Sequence, residues 1–394
     1  MTSAKHYNGS KRRLPQLILR QYLYMITRII NGVEIDIEES QPNELYFTRD
    51  FIDSITDFCG DMDQIKEGIY GWNNTNAYLP LSIMWELTNA CVFSCPFCYI
   101  NTPKAKRYPN YTLSEMIEIS DSLIEMGMLF CTISGGECLM HPDFAELYCH
   151  LKKKGVIVSV FTNAYLINDK IIKAFEEFKP YKIEVSIYGL TDEGFKKATN
   201  TEYDYRKVLD NIIVLKQMGI DVRCKSPITT VTSADVPVIR NWCERNGIYF
   251  YVSDELFNSY YGEEVDEYRT YDEVFEQAVK EKERNLFQNS DHKFGRKIAW
   301  NCSAGKYSGV ISGDRSFYPC MTSVGIEKYR YSMKNGIKKA IHCFTKTLVE
   351  EAGKELFFCN GCNACDVCDK CVLSLITDSE KQIQEHCRYM ERFN

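Results

Sequence analysis

The loop that decides the fold reads Cys91-Val-Phe-Ser-Cys95-Pro-Phe-Cys98-Tyr99, and it directly follows a predicted strand at residues 81–87. Three cysteines in so short a loop are typical of metal or iron–sulfur ligands. Three thiolates fill three of the four outer iron positions of a [4Fe–4S] cluster and leave one iron open. Structural metal sites instead close every position with protein ligands, so the spacing predicts a site for chemistry.

Predicted strands and helices alternate regularly from residue 81 onward. The strands are predicted at 81–87, 129–133, 156–161, 183–187, 220–224 and 248–252, and the helices at 112–126, 142–153, 169–178, 205–218 and 236–246. Strands that alternate with helices indicate a parallel sheet. The polar motifs follow the carboxyl ends of these strands, where α/β barrels place their active sites. We therefore predict an α/β fold of the partial (β/α)6 barrel type.

The flanking regions differ in character from this central part. Before it, the pattern indicates a helix at 17–30, a strand at 32–37, a helix at 51–58 and a turn-rich linker at 71–76. After it, a helix is predicted around 271–284, and cysteines become dense from residue 300. We predict an N-terminal α+β region at 1–79, a core at 80–285 and a C-terminal cysteine-rich domain at 286–394.

Composition narrows the class of protein. The net charge is -7, which argues against a nucleic-acid partner. No apolar run is long enough for a membrane helix, and no signal peptide is evident, so we expect a cytoplasmic protein without a membrane partner. The chain has 18 cysteines, and their uneven grouping in such a protein indicates metal or cluster ligands more than disulfides.

A second motif, Ser134-Gly135-Gly136-Glu137, follows the next predicted strand. Glycines allow the backbone to approach a ligand where a Cβ atom would clash. The glutamate carboxylate can accept charge-assisted hydrogen bonds from a cationic amine. Taken alone, the motif also fits a tight turn with a solvent-exposed glutamate.

The cysteine loop and this motif together resemble the radical S-adenosylmethionine (SAM) superfamily. The resemblance implies that Cys91, Cys95 and Cys98 hold a [4Fe–4S] cluster whose open iron binds SAM. Reductive cleavage of SAM then yields a 5′-deoxyadenosyl radical, which abstracts a hydrogen atom from the substrate. The protein positions and shields this chemistry.

The resemblance also implies SAM contacts. Tyr99 borders the adenine, Gly135, Gly136 and Glu137 hold the methionyl amine, and Asn163 and Ser186 approach the ribose or carboxylate. Asn163 and Ser186 alternatively serve only as strand-end turn residues. The family often has an arginine after the serine, where this chain has Lys196 and Lys197, so Lys225 is a further candidate. Cys138 stands where the family usually has proline.

The C-terminal cysteines resemble the SPASM domain, which carries two auxiliary [4Fe–4S] clusters. The resemblance assigns one cluster to Cys359, Cys362, Cys368 and Cys387, and the other to Cys302, Cys320 and Cys371. The fourth ligand of the second cluster is either Cys365 or Cys343, or that position has no protein ligand. Two alternatives remain open: a ferredoxin-like use of the consecutive C-x2-C steps, and a zinc-ribbon-like site.

SPASM radical SAM enzymes mostly act on peptides and proteins. We therefore predict a maturase that abstracts a hydrogen atom from a ribosomally made precursor peptide and forms a thioether or carbon–carbon crosslink. Its expected partners are a leader-bearing precursor peptide and a one-electron reductant of the flavodoxin or ferredoxin type. The alternatives are a formylglycine-forming sulfatase maturase and a non-catalytic iron–sulfur electron carrier. The glycine motif and the open iron disfavour the carrier, because a carrier needs no SAM site.

Overall fold

The structure, a computed structural model, describes residues 24–30, 33–39, 80–100, 106–253, 256–262, 265–278, 304 and 308–351 of the chain. The predicted helix at 51–58 and the predicted linker at 71–76 lie outside these ranges. So do the predicted domain boundaries at 79 and 285, and the division into three domains stays a prediction.

An antiparallel hairpin stands in the N-terminal region. It consists of β1 (Tyr24–Ile30) and β2 (Val33–Glu39), with Ile30 opposite Val33. The predicted strand at 32–37 is confirmed, whereas the predicted helix at 17–30 is wrong over residues 24–30. The physical reason is local: β1 is rich in β-branched residues, which favour strands, and Asn31-Gly32 between the strands is a strong hairpin signal.

Six parallel strands form the centre of a large sheet. They are β3 (Ser82–Glu86), β4 (Phe130–Ser134), β5 (Ile157–Thr162), β6 (Lys182–Ser186), β7 (Val222–Pro227) and β8 (Tyr249–Ser253). Each pairs in parallel with the next in chain order. All six predicted strands are therefore confirmed, with bounds shifted by one to three residues.

Helices connect these strands and cover one face of the sheet. They are α1 (Leu113–Glu125), α2 (Phe144–Lys153), α3 (Asp169–Glu177), α4 (Asp192–Thr199), α5 (Tyr205–Gln217) and α6 (Val236–Arg245). The helix α1 begins with the capping box that its sequence predicts, since Thr112 and Glu115 each accept a hydrogen bond from the backbone nitrogen of the other. Sequence patterns did not indicate α4.

Three strands from the C-terminal part extend the same sheet beyond β3. They are β9 (Ser308–Ser312), β10 (Ser316–Tyr318) and β11 (Tyr331–Ser332), and α7 (Ile337–Glu351) follows them. The order of the nine strands is β11-β10-β9-β3-β4-β5-β6-β7-β8. The strand β9 is parallel to β3, whereas β10 pairs antiparallel with both β9 and β11. The cysteine-rich segment thus begins on the sheet that carries the barrel strands.

Alternation along the strands separates two environments. In β3, Ile83 and Trp85 are fully buried and join the apolar core, whereas Met84 and Glu86 point to the opposite face. In β6, Ile183 and Val185 take the core side, and Glu184 faces away from it. The carboxyl ends line up, because Glu86 pairs with Ser134 and Ser186 pairs with Lys225. The loops that follow these strands therefore meet at one edge of the sheet.

Candidate functional site

The cysteine loop begins at Cys91, five residues after β3 ends, at that edge. Cys95 is buried, and Cys91 and Cys98 are partly buried. A turn brings the backbone nitrogen of Cys98 to 3.1 Å from the Cys95 carbonyl oxygen. The loop is anchored to α4, since the backbone nitrogen of Ser94 donates to the carbonyl of Thr199 at 2.8 Å. These contacts hold three thiols close together.

The electrostatics of the three thiols suit a cationic group. Burial, and then the charge of nearby Glu137, raises the pKa of Cys91 to about 12. Burial, and then repulsion from Cys98 and Cys91, also raises the pKa of Cys95. Three thiolates in this loop are therefore unfavourable unless a bound metal supplies positive charge.

Three cysteine thiols are a donor set that fits a [4Fe–4S] cluster with one open iron. Among the described residues, no three His, Cys, Asp or Glu side chains are placed to hold one metal ion. In a [4Fe–4S] cluster each cysteine binds a different iron, so the sulfur atoms stand further apart than around one ion. The three cysteines of the loop supply three of the four outer ligands of such a cluster.

The glycine motif packs directly against the chain that leads into the cysteine loop. The backbone nitrogens of Gly136 and Glu137 donate to the carbonyls of Thr88 and Ala90, each at 2.8 Å. A Cβ atom on Gly135 would lie 2.4 Å from the Thr88 oxygen, and one on Gly136 would lie 2.4 Å from the Ala90 oxygen. The glycines thus permit a close approach to the protein's own backbone, where we had expected the approach to be to a ligand.

Glu137 is buried, in contrast to the alternative of a solvent-exposed turn residue. Its Oε1 accepts from the Thr162 hydroxyl at 2.7 Å and the Leu139 backbone nitrogen at 3.0 Å, and its Oε2 accepts from the Asn163 backbone nitrogen at 2.7 Å. Burial raises the pKa of Glu137, and these hydrogen bonds oppose the shift. The carboxylate therefore joins the ends of β4 and β5 beside the cysteine loop.

Asn163 connects the two motifs. Its side-chain nitrogen lies 3.6 Å from the sulfur of Cys91, while its backbone nitrogen contacts Glu137. Neighbouring Cys138 is buried, with its sulfur 3.3 Å from the carbonyl oxygen of Phe161. The geometry brings Asn163, Glu137 and Cys91 into one hydrogen-bonded group.

Ser186 ends β6, and Tyr188 follows it beside the cysteine loop. Burial, and then the nearby thiols of Cys95 and Cys98, raises the pKa of Tyr188. The Tyr188 ring also packs edge-on against Phe97 of the cysteine loop, with centroids 5.6 Å apart. Sequence reasoning included Tyr188 in the motif after β6 but assigned it no role, because its contact with the cysteine loop depends on the fold.

Lys225, on β7, belongs to a charged cluster on the face of the sheet opposite the helices. Its ammonium lies 3.3 Å from Oε2 of Glu184 and 3.7 Å from the centroid of the Phe161 ring. Lys182 pairs with the same carboxylate, and the Tyr251 hydroxyl donates to it at 2.7 Å. Burial lowers the pKa of Lys225, and Glu184 opposes that shift. Lys196 instead pairs with Glu202 at the surface.

Tyr99 packs near the buried carboxyl group of Glu86, which sequence reasoning missed. Its ring lies 5.2 Å from that of Tyr260, whose hydroxyl donates to Glu86 at 2.7 Å. The hydroxyl of Ser312 donates to the other Glu86 oxygen at 2.8 Å. Burial raises the pKa of Glu86 to about 7. The sequence signal that could have identified this residue is a glutamate within an otherwise largely apolar strand.

The predicted auxiliary ligands are described only in part. Cys320 is partly buried, with its sulfur 3.0 Å from the Thr322 hydroxyl oxygen, and Cys343 is exposed on α7. The remaining cysteines of the assignment lie outside the described residues: Cys302, Cys359, Cys362, Cys365, Cys368, Cys371 and Cys387. Their ligand assignment stays a prediction.

The fold and the site together define a class of protein. Residues 85–233 match the Radical SAM superfamily, a range that includes the cysteine loop, the glycine motif, Asn163, Ser186 and Lys225. The chain therefore carries a radical SAM domain. Among the described residues, no helix is both long and apolar enough to cross a membrane.

Two curated proteins from Bacillus subtilis (strain 168) are similar to this chain in sequence. The sporulation killing factor maturation protein SkfB is 24% identical over 259 residues, which cover 62% of this chain and 61% of the relative. The antilisterial bacteriocin subtilosin biosynthesis protein AlbA is 25% identical over 253 residues, which cover 61% and 55%. The alignments thus span less than two thirds of each relative's length.

Solved structures share the fold. Streptococcus suis SuiB bound to S-adenosylmethionine is similar with a TM-score of 0.60 and 15% identity, covering 85% of this chain and 82% of SuiB. The His6-tagged anSMEcpe with bound AdoMet gives a TM-score of 0.59 at 17% identity, covering 79% of this chain and 93% of that one. At these identities the likeness concerns the fold alone.

Proposed function

We propose that the protein is a radical SAM maturase that abstracts a hydrogen atom from a ribosomally made peptide and forms a thioether or carbon–carbon crosslink. The observation that carries the proposal is the hydrogen-bonded group of Cys91, Asn163 and Glu137. It joins the loops after β3, β4 and β5 at one edge of the sheet. The maturation and biosynthesis proteins among the relatives support a peptide substrate.

In this proposal, the chain's residues hold and shield two groups. Cys91, Cys95 and Cys98 bind a [4Fe–4S] cluster, which together with SAM supplies a hydrogen-atom acceptor. Tyr99, Gly135, Gly136, Glu137, Asn163, Ser186 and Lys225 form the SAM site. Glu137 is buried with its oxygens already engaged by neutral donors, so it is pre-positioned to accept from a cationic amine.

The C-terminal part supplies auxiliary clusters in the same proposal. Crosslinking removes two hydrogens from the peptide, one as an atom and one as a proton with an electron. Two SPASM [4Fe–4S] clusters, held by the cysteines assigned above, would accept that electron. The contact of β9 with β3 supports this, because it connects the cysteine-rich segment to the strand that precedes the cysteine loop.

The partners follow from the chemistry. We propose that the region at 1–79 receives the leader of a precursor peptide, since a hairpin such as β1–β2 is a strand pair to which a peptide can add a strand. A one-electron carrier of the flavodoxin or ferredoxin type reduces the cluster. The cysteine usage is consistent with action in the reducing cytoplasm.

Mass spectrometry of the peptide product tests the proposal. Reconstituted protein is incubated anaerobically with SAM, a chemical reductant and candidate precursor peptides. The expected product has lost two hydrogens and forms together with 5′-deoxyadenosine. A formylglycine product from a sulfatase peptide, with the precursor peptides unchanged, would instead support sulfatase maturation.

Two measurements distinguish the radical SAM cluster from the auxiliary clusters. A variant with Cys91, Cys95 and Cys98 all replaced by Ala should cleave no SAM yet retain auxiliary iron. If that variant still forms 5′-deoxyadenosine, the radical SAM site is wrongly assigned. Wild-type protein with three clusters should bind about 12 iron atoms, whereas about 4 would contradict the auxiliary clusters.

A further inference from the structure

The Glu86 carboxyl group is buried on the inner face of the sheet, which is the face opposite the helices. The residue is 2% exposed and stands opposite Ser134, directly before the glycine motif. The Tyr260 hydroxyl donates to Oε1 at 2.7 Å, and the Ser312 hydroxyl donates to Oε2 at 2.8 Å. Within the described residues, no Lys, Arg or His side chain forms an ion pair with this carboxyl group. Buried carboxyl groups are usually paired with a cation, so Glu86 is a candidate for a functional role.

The two hydrogen-bond donors connect Glu86 to both parts of the chain that the proposed reaction uses. Tyr260 packs on Tyr99, a proposed SAM contact, with ring centroids 5.2 Å apart, and its backbone nitrogen donates to the Tyr99 carbonyl at 2.9 Å. Ser312 ends β9, the strand through which the C-terminal part joins the sheet. Cys320, a predicted auxiliary ligand, follows the next strand, β10. Glu86 therefore lies between the cysteine loop and the segment that leads to the auxiliary ligands.

Crosslink formation releases a proton that needs an acceptor. In a thioether link, the peptide carbon that has already lost a hydrogen atom bonds to a thiol sulfur. The S–H bond breaks, its proton goes to a base, and the remaining electron goes to an oxidised auxiliary [4Fe–4S] cluster, the acceptor proposed above. A carbon–carbon link has the same balance, with a C–H bond broken in place of the S–H bond. A carboxylate positioned at the reacting atoms can take such a proton.

The surroundings of Glu86 suit a group that gains and loses a proton near neutral pH. Burial raises its pKa to about 7 and the charge of Asp314 adds to this shift, whereas the bonds from Tyr260 and Ser312 oppose it. The titratable groups around it are Tyr99, Tyr111, Tyr260, Tyr261 and Asp314. Burial raises the pKa of each of these tyrosines, so they are neutral at pH 7. A general base works best when its pKa is close to the working pH.

We propose that Glu86 is a catalytic residue: the general base that accepts the proton released as the crosslink forms. Tyr260 and Ser312 are positioning residues that hold its two oxygens. The assignment rests on the proposed function, because it concerns the same crosslinking reaction. Abstraction of the hydrogen atom needs no base, so Glu86 acts only after 5′-deoxyadenosine has formed.

The ratio of 5′-deoxyadenosine to crosslinked peptide tests the proposal. Full-length, reconstituted wild type and Glu86→Gln are incubated anaerobically with SAM, a chemical reductant and the precursor peptide that the wild type crosslinks. General bases contribute about 100-fold or more to a rate, so the variant should form crosslink at least about 100-fold more slowly while still releasing 5′-deoxyadenosine. An unchanged ratio would overturn the role of Glu86 alone. A wild type that crosslinks no peptide would overturn the proposed function together with this role.

Asp314→Asn is the matched control, because Asp314 is a second, largely buried carboxylate near Glu86. It accepts from the Tyr318 hydroxyl and from Arg330, each at 2.9 Å. This variant should lose stability and keep the wild-type product ratio. An equal rise of the ratio in both variants would show that any disturbance of the inner face uncouples the reaction, which contradicts a specific base.

Two further variants keep the carboxyl group and apply if Glu86→Gln binds no iron. Glu86→Asp shortens the side chain, and Tyr260→Phe removes one donor while it keeps the ring. Each should raise the product ratio, by less than the loss of the base would. Wild-type ratios in both variants would contradict the proposal, because neither the position nor the orientation of the carboxyl group would then matter.

Infrared spectroscopy follows the carboxyl group without turnover. Difference spectra between reconstituted wild type and Glu86→Asp or Glu86→Gln, recorded without peptide or SAM, isolate the C=O band of protonated Glu86. This band should disappear as the pH rises, with a midpoint at about pH 7. A band that persists or is missing throughout this range would show that Glu86 does not exchange a proton near neutral pH, and the role as a base would be wrong.

Discussion

The backbone nitrogen of Asn163 lies 2.7 Å from Oε2 of Glu137, which hydrogen-bonds the end of β5 to the carboxylate that follows β4. The Thr162 hydroxyl and the Leu139 backbone nitrogen donate to the other oxygen of the same group. One buried carboxylate therefore satisfies donors from two loops. Its removal should affect both the fold and the ligand site.

Replacing Glu137 with Gln should destabilise the protein. The new amide presents hydrogens to the Asn163 nitrogen or to Thr162, which leaves a buried donor unsatisfied. We expect the free energy of unfolding to fall by about 1–3 kcal/mol. Anaerobic denaturant unfolding measures it, with Glu146→Gln as the control. Glu146 forms an exposed ion pair with Lys170, and its loss should cost at most about 1 kcal/mol. Equal losses would contradict the prediction.

Gly136→Ala should disrupt the packing of the glycine motif against the cysteine loop. The added methyl would lie 2.4 Å from the Ala90 oxygen, and backbone atoms cannot move away as a flexible side chain can. We expect a loss of stability of about 1–3 kcal/mol or more, together with lower iron content.

Gly313→Ala is the control for that prediction. Its Cβ atom would meet the Asn89 nitrogen at 3.4 Å, close to ordinary van der Waals contact. Thermal unfolding and iron analysis of the two variants should differ clearly. A Gly136→Ala protein with wild-type stability and iron would show that the loop shifts freely.

Lys225→Gln should weaken the binding of SAM if the ammonium contacts the SAM carboxylate. The loss of a hydrogen bond to a charged group predicts about a 10-fold higher Kd. Lys182→Gln is a matched control, because Lys182 pairs with the same Glu184 carboxylate but stands at the opposite end of β6. Equilibrium binding of labelled SAM measures both, and equal Kd values would remove Lys225 from the site.

Glu86 should make stability depend on pH. Because burial raises its folded-state pKa from 4.5 to about 7, the folded protein binds the proton more tightly than the unfolded chain. Stability from this group is therefore fully present below pH 4.5 and decreases as the pH rises towards about 7, by up to about 3 kcal/mol.

Glu86→Gln should flatten that pH profile. Unfolding of the wild type and the variant, compared between pH 5 and pH 8, isolates the contribution of the carboxyl group. The exposed Glu118→Gln variant should retain the wild-type profile. If Glu86→Gln also keeps the wild-type slope, the carboxyl group does not titrate in this range.

Local sequence was sufficient for the parallel core. The alternation of apolar and polar residues, together with caps such as Thr112–Glu115, predicted every strand from β3 to β8 and most helices between them. It was insufficient for β1, where an apolar run satisfied both helical and strand patterns. The strands β10 and β11 have only three and two residues, too few for a periodic signal. Together with β9 they are strands because β3 and one another supply their hydrogen bonds.

The sequence by itself determined the cysteine loop, the glycine motif and their positions after successive strands, because these depend on residue type and short spacing. Only the tertiary structure decided what each of these side chains contacts. The Asn163 side chain contacts Cys91, which lies 72 residues earlier in the chain, and the Tyr188 ring contacts Phe97 of the cysteine loop. Such contacts depend on strand register and loop packing over long separations. The spacing of the three cysteines predicted a cluster site, and the fold brings the Asn163 side chain to the sulfur of Cys91.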